Sequence, residues 1–242
     1  MSGRLKTINI AHRLALIFDP GLCQLCGRGI APGNGFCPDC SAALRMVDHP
    51  CSLCGLVNHG PGAVCPACLH QPPRWQRMVA PLVYRDQARE LIQRLKYQRQ
   101  KSLARALVTR TLDYFWTDRI DVLLPVPMHP GRHVERGFNQ AQEIARRLAR
   151  ELGIPLDRRL LQRNRPTAPQ SGLTPPQRRE NLRAAFSCRP VGTYRRVAVV
   201  DDIITSGATM DAICVQLQRA GVEHIEAWAL ARTLKHGQSE AR

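Results

Sequence analysis

Eight cysteines in four C-x2-C pairs constrain this chain more than any other feature: CQLC at 23–26, CPDC at 37–40, CSLC at 51–54 and CPAC at 65–68. Shifting the first two pairs by 28 residues superposes them on the last two, so the module is an internal repeat. Two residues between thiolates let one tight knuckle present two sulfurs to a tetrahedral ion, each at about 2.3 Å. Gly27 and Gly55 follow the first and third pairs and permit the left-handed turn that closes such a knuckle. Cys23, Cys26, Cys37, Cys40, Cys51, Cys54, Cys65 and Cys68 are therefore expected zinc ligands in a double ribbon with one or two structural ions. A disulfide framework is the competing explanation, but nothing in the sequence indicates secretion, where such frameworks persist. Spacing leaves open whether the knuckles pair in order or interleave. His49, His59 and His70 are read as surface residues, because eight thiolates already complete two four-sulfur sites.

Beyond the cysteines the chain is strongly basic, with a formal net charge of +16. Thirty-one of its thirty-five cations are arginine, whose planar fork matches phosphate oxygens in bidentate geometry. Such a balance suits a phosphate-bearing ligand or nucleic acid, and equally suits an ordinary solvated basic surface. No apolar run approaches the ~20 residues needed to cross a bilayer, so no membrane span is expected. LALIF at 14–18 is too short for a signal-peptide core and is read as part of a short N-terminal helix within 1–20. The expected location is cytoplasmic.

After a Pro-containing connector at 71–77, apolar strands alternate with helical stretches from 78 to 235, leaving a tail at 236–242. Strands are expected at 79–84, 121–126, 196–200 and 224–231. Helices are expected at 88–117 (interrupted near 98–102), 139–152 and 209–220, the last two stopped by Gly153 and Gly221. This order implies an α/β fold, a parallel sheet with helices on both faces, whose ligands bind beyond the carboxyl ends of the strands.

The run VAVVDDIITSGATMDAI at 197–213 carries the chemistry. A buried strand is read as ending at Asp201 and Asp202. Thr205, Ser206, Gly207, Ala208 and Thr209 then offer hydroxyls and successive backbone N–H groups at a helix start, which is an anion site. Carboxylates that accept from hydroxyls beside a held phosphate describe a ribose 5-phosphate. The chain has no G-x-x-x-x-G-K-[ST] for a nucleoside triphosphate and no G-x-G-x-x-G for a dinucleotide. Were the aspartates merely a helix cap, one of them and the hydroxyl loop would lack a role.

VVDDIITSGAT resembles the phosphoribosyl-pyrophosphate signature of type I phosphoribosyltransferases, with Ser206 where the signature usually has a second threonine. Three further segments resemble the ComF competence-protein family: PVPMHPGRHVERGFNQAQEIA (125–145), QSGLTPPQRRENLRAAF (170–186) and IQRLKYQRQKSLARAL (92–107). The cysteine module matches that family's layout, and the resemblance spans nearly the whole chain. It implies that Asp201 and Asp202 bind the ribose hydroxyls, with magnesium nearby, and that residues 205–209 cradle the 5-phosphate. It places a pyrophosphate loop at Pro125, Val126 and Pro127, with Arg132 or Arg136 supplying charge. The segment 158–183 corresponds to a basic hood carrying Arg163, Arg165, Arg178, Arg179 and Arg183. The implied ligand is phosphoribosyl pyrophosphate or another ribose 5-phosphate, and the implied setting is uptake or utilization of external DNA, with single-stranded DNA and uptake-machinery proteins as partners. Either a phosphoribosyltransferase with an unknown acceptor or a non-catalytic DNA-binding module is compatible with these residues. No general base or base-reading element stands out. Trp75, Trp116 and Trp228 are too few for a stacking platform, so DNA contact is expected to be salt-sensitive and sequence-tolerant. Lys96, Tyr97, His129 and His133 are left without a role, and Cys214 is expected to be a small buried apolar residue.

Overall fold

The computed structural model describes residues 21–58, 60, 62–98, 100–115, 120–128, 137–164 and 185–234. The expected N-terminal helix, the C-terminal tail, Trp116, His129, His133, Arg132 and Arg136 lie outside the described residues. So do Arg165, Arg178, Arg179 and Arg183 of the expected hood.

Two short helices, α1 (Pro38–Ala43) and α2 (Pro66–His70), belong to the cysteine module. There follow β1 (Arg77–Val79), β2 (Leu82–Val83), α3 (Asp86–Tyr97), α4 (Ser102–Thr111) with a 3-10 turn (Leu112–Phe115), and β3 (Val122–Pro125). The remainder is α5 (Gln140–Leu152), β4 (Leu161–Arg163), β5 (Phe186–Cys188), β6 (Arg196–Ile204), α6 (Ala208–Arg219) and β7 (His224–Arg232).

The main sheet runs β1-β7-β6-β3, and every pairing in it is parallel. β1 and β2 are two pieces of one edge, both paired with β7. The single strand expected at 79–84 is broken at Ala80-Pro81, because proline has no N–H to give the ladder. At the centre, β6 and β7 run beside each other from Arg196↔His224 to Ile204↔Arg232. Their side chains divide by parity, as strand geometry requires. Ala198 and Val200 face a core containing Leu91, Leu95, Leu107 and Ile144 from α3, α4 and α5. Val197 and Val199 face a second core with Met210, Ile213 and Leu217 from α6. Each of these strand residues is fully buried, worth about 1.5–3 kcal/mol per valine-sized side chain.

Both helix stops anticipated from glycine are in place. Gly153 is the left-handed cap of α5 at φ 70°, and Gly221 has φ 92°. Cys214 is 1% exposed within α6, as a buried small residue should be.

At the start of α5, Asn139 does two jobs. Its Oδ1 accepts from the Gln142 N–H at 3.4 Å, capping the helix, and its Nδ2 donates to the Val126 carbonyl at 2.9 Å. The turn after β3 is thereby fastened to the helix that follows it. Asn139→Ala should lower unfolding stability by about 1–2 kcal/mol in a urea titration, while Asn139→Asp, which keeps the cap acceptor but loses the donor to Val126, should recover part of it. Equal losses in the two variants would show that only the Val126 bond matters.

Candidate functional site

The cysteine repeat is reproduced bond for bond. Cys23 N–H donates to Arg28 O at 2.8 Å and Gly27 N–H to Cys23 O at 2.9 Å; 28 residues later Cys51 donates to Leu56 and Gly55 to Cys51, both at 2.8 Å. Gln24 N–H to Gly35 O (2.9 Å) is repeated as Ser52 N–H to Ala63 O (2.7 Å). The knuckles pair in order. Cys23, Cys26, Cys37 and Cys40 form one cluster, and Cys51, Cys54, Cys65 and Cys68 another, with all sulfurs in each within 4.8 Å of one another. Cys26 and Cys37 sulfurs are 3.8 Å apart, as are those of Cys54 and Cys65. That separation is far beyond a disulfide and equals the edge of a tetrahedron of radius about 2.3 Å, the zinc–thiolate distance. The donor set and its spacing therefore fit zinc at two closed, structural sites. Burial disfavours the Cys23 thiolate, but backbone amides of Cys26, Cys37 and Leu25 outweigh it and hold the thiol below its ordinary value. Cys51 is lowered in the same way by the amides of Cys65, Cys54 and Leu53 against its burial. Both favour the deprotonated ligand a metal needs, whereas burial and the neighbouring sulfurs push Cys40, Cys54 and Cys68 up. His49 and His70 are exposed; His59 lies outside the described residues.

Since all main-sheet strands point one way, Pro125, Ile204 and Arg232 end on the same edge. The turn after β3 is hooked there by Val126 N–H donating to Val200 O at 2.8 Å. Pro125 and Val126 are buried, and Pro127 is half-buried.

One boundary differs from expectation with a consequence for the site. β6 does not stop at Val200 but continues through both aspartates to Ile204. The ladder with β7 carries on past the carboxylates, and the apolar pair Ile203-Ile204 gives it side chains to bury. Consecutive strand residues point to opposite faces, yet the two carboxylates stay close enough for the Asp202 charge to act on Asp201. Asp201 lines a cleft with Ile203, Ile204 and residues 205–210. Asp202, 7% exposed, turns toward α3, where its Oδ2 lies 2.9 Å from Lys96 Nζ. Lys96 thus acquires the role its sequence position did not disclose. Burial disfavours its ammonium, but the Asp202 charge and hydrogen bond dominate and raise its pKa. Asp201 is raised above the usual carboxylate range by burial and then by the Asp202 charge. Its Oδ1 accepts from the Asp202 N–H at 2.8 Å.

Beyond β6, Thr205 and Ser206 are exposed, and Gly207 begins α6 at φ 82°. The first N–H groups of that helix have no intrahelical acceptor and carry its positive dipole end. A side chain at Gly207 would be strained by φ and would meet the ring of Trp75. The loop therefore has the geometry of an anion cradle, with a carboxylate at its near wall.

Trp75 (7% exposed) and Trp228 (0%) are core residues, unavailable to stack bases. The 71–77 connector is docked on β7 and α6. Gln76 exchanges bonds with Ile225, its N–H to Ile225 O at 2.9 Å and its Oε1 accepting from Ile225 N–H at 2.7 Å. Arg74 pairs with Asp211 at 3.0 Å. Within the expected hood, Arg163 lies over the Phe186 ring at 5.4 Å, where β4 and β5 pair antiparallel.

Among the described residues, no helix is long and apolar enough to cross a membrane. Residues 136–241 match the model of the phosphoribosyl transferase domain. Over 226 residues, 89% of this chain and 98% of the relative, the sequence is 36% identical to the DNA utilization protein YhgH of Escherichia coli O157:H7. It is 37% identical to Competence protein F of Haemophilus influenzae over 209 residues, 82% of this chain and 91% of the relative. A more distant relative, Competence protein ComFC of Bacillus subtilis, is 24% identical over 221 residues, 84% of this chain and 87% of that one.

Two measurements follow from this geometry. Metal analysis of the purified chain should give about two zinc ions per molecule, and one ion would mean that a cluster is not a site. Lys96→Met leaves the Asp202 carboxylate buried without its cation and should cost about 3–5 kcal/mol in urea denaturation, most of it regained when Asp202→Asn is added. Additive losses in the double variant would show that the two side chains do not depend on each other.

Proposed function

The chain belongs to the ComF family of competence and DNA-utilization proteins, and on that footing we propose that it binds phosphoribosyl pyrophosphate or another ribose 5-phosphate, in the service of uptake or utilization of external DNA. The observation that carries this reading is the cleft shared by Asp201 and residues 205–210. Thr205, Ser206 and Thr209 hydroxyls and the amides from Gly207 onward would hold the 5-phosphate. Asp201 would accept from a ribose hydroxyl. Asp202, neutralised by Lys96, would orient β6's end and add its field rather than a second open acceptor.

Pro125, Val126 and Pro127 stand at the neighbouring strand end, where a pyrophosphate group would project, with Arg132 and Arg136 on the segment that follows. Asp201 is a hard oxygen donor with a carboxylate that burial leaves short of counter-charge, which fits a magnesium ion. Magnesium bound with the ligand would supply charge neutralisation on the pyrophosphate oxygens. The chain's own contribution would be orientation: the loop fixes one end of the sugar and the Asn139-anchored turn faces the other. The arginines of the hood, Arg163, Arg165, Arg178, Arg179 and Arg183, would add charge over the anionic end or meet DNA phosphates. With Trp75 and Trp228 buried, DNA contact would rest on backbone charge rather than on those rings.

Calorimetric titration of phosphoribosyl pyrophosphate and of single-stranded DNA, each with and without magnesium, tests the proposal. Wild type should bind the sugar phosphate in magnesium, Gly207→Val should abolish that binding, and Asp201→Asn should weaken it at least about tenfold. DNA binding should fall with salt and be little changed by either substitution. Absence of sugar-phosphate binding in wild type would refute the ribose-phosphate reading, and release of pyrophosphate with a candidate acceptor would identify a transferase.

A further inference from the structure

Two buried side chains run from the second cysteine site to the anion loop. Arg232, the last residue of β7 and 5% exposed, donates from Nε to the Cys54 carbonyl at 2.8 Å. From Nη1 it donates to the carbonyls of Ile204, at 2.9 Å, and Thr205. Trp75 donates from Nε1 to the Leu53 carbonyl at 2.6 Å, and a Cβ on Gly207 would lie only 3.0 Å from its Cη2. Leu53 and Cys54 belong to the third knuckle; Thr205 and Gly207 belong to the loop. The strand edge joins them too, since Met78 N–H donates to Ser52 O at 2.8 Å. Gly55 is bare where a Cβ would meet Met78 Sδ at 2.9 Å and Arg232 Cδ at 3.7 Å.

Among the described residues, the first cysteine site has no such route. Its ribbon docks on α4, through Ser102 Oγ donating to Gln24 Oε1 at 3.1 Å, Gly35 packed on Ala106, and Arg110 reaching Ser41 O at 3.5 Å. Its buried Cys23 and Cys37 join the core that contains α3, α4 and α5, whereas Trp75 and Met78 lie in the core that contains α6.

We propose that Arg232 and Trp75 are positioning residues that make the geometry of the anion loop depend on metal at Cys51, Cys54, Cys65 and Cys68. Metal fixes the knuckle, the knuckle carbonyls fix the guanidinium and the indole, and these fix the loop carbonyls so that the loop amides face the cleft. A guanidinium is a rigid fork, so its Nε and Nη1 acceptors cannot move independently. A buried cation that loses an acceptor is expensive, which ties knuckle and loop to one arrangement. Because coupling is reciprocal, an anion in the loop must also strengthen metal retention at the second site. The ligand named here rests on the ribose-phosphate reading above; the coupling itself does not.

The test uses the full zinc-loaded chain, with hydrogen exchange of amides 206–210 and native mass spectrometry of zinc loss to a chelator, each with and without ribose 5-phosphate. Arg232→Met with both ions retained should exchange those amides and bind ribose 5-phosphate at least about tenfold faster and weaker, respectively, with α5 amides unchanged. Trp75→Phe, which loses the bond to Leu53 and the part of the indole beside Gly207 but leaves Arg232 in place, should show a smaller change in the same direction. In wild type, ribose 5-phosphate should slow loss of one of the two ions, and in Arg232→Met it should not. Arg110→Ala, at the dock of the first ribbon, should behave as wild type throughout. Loop exchange that is the same in wild type, Arg232→Met and the metal-depleted chain overturns the proposal, and so does an equal response in Arg110→Ala. If Arg232→Met does not fold, the wild-type comparison before and after metal depletion decides on the same criterion. Loop exchange that follows the metal while ribose 5-phosphate protects nothing in wild type supports the coupling and removes the ribose-phosphate reading.

Discussion

The parallel ladder between β6 and β7 is the constraint on which the rest of the structure depends. Its register, held from Arg196↔His224 to Ile204↔Arg232, decides where every chemically interesting residue emerges. One strand delivers Asp201, Asp202 and the loop; the other delivers Arg232 beside that loop and, at its opposite end, the buried Glu226. There Glu226 accepts from Trp228 Nε1 at 2.8 Å and Arg77 Nη1 at 3.3 Å, satisfying a charge that would otherwise be costly. A slip of one residue would exchange the faces of all these side chains at once. Such a slip would also part the buried Asp202 from Lys96.

Much of this was legible where the chain states its constraints locally. Ligand spacing in the cysteine repeat dictates the knuckle, and the knuckle dictates its own hydrogen bonds, so the second copy follows from the first. Asn139 before Gln140 and Glu143 announces a helix start, and Gly153 announces its end. What sequence did not disclose depends on partners distant along the chain. Nothing near Lys96 points to Asp202, nothing near Asn139 points to the Val126 carbonyl, and nothing near Arg232 points to Cys54. Trp75, between prolines and a glutamine, looks like part of a connector until its indole is seen against Leu53. The aspartates are a different case. Ile203 and Ile204 continue the apolar run beyond them, and a strand reading carried that far would have placed Asp201 and Asp202 on opposite faces.

That opposition gives the paired carboxylates unequal work. The two carboxylates repel each other, since the Asp202 charge helps to raise Asp201, and that repulsion has to be offset. Here one is turned across the sheet and met by Lys96, while the other keeps its place at the cleft. The cleft thus presents a single carboxylate next to helix-start amides. A simple dianion gains from the amides but is repelled by Asp201, and a bare sugar finds the carboxylate but leaves the amides idle. On the proposed reading, a molecule with hydroxyls on one side and a phosphate on the other satisfies both, and a cation carried with it relieves the remaining charge. The strongly basic chain can then hold an acidic pair without contradiction, because its carboxylates address the uncharged part of an anionic ligand.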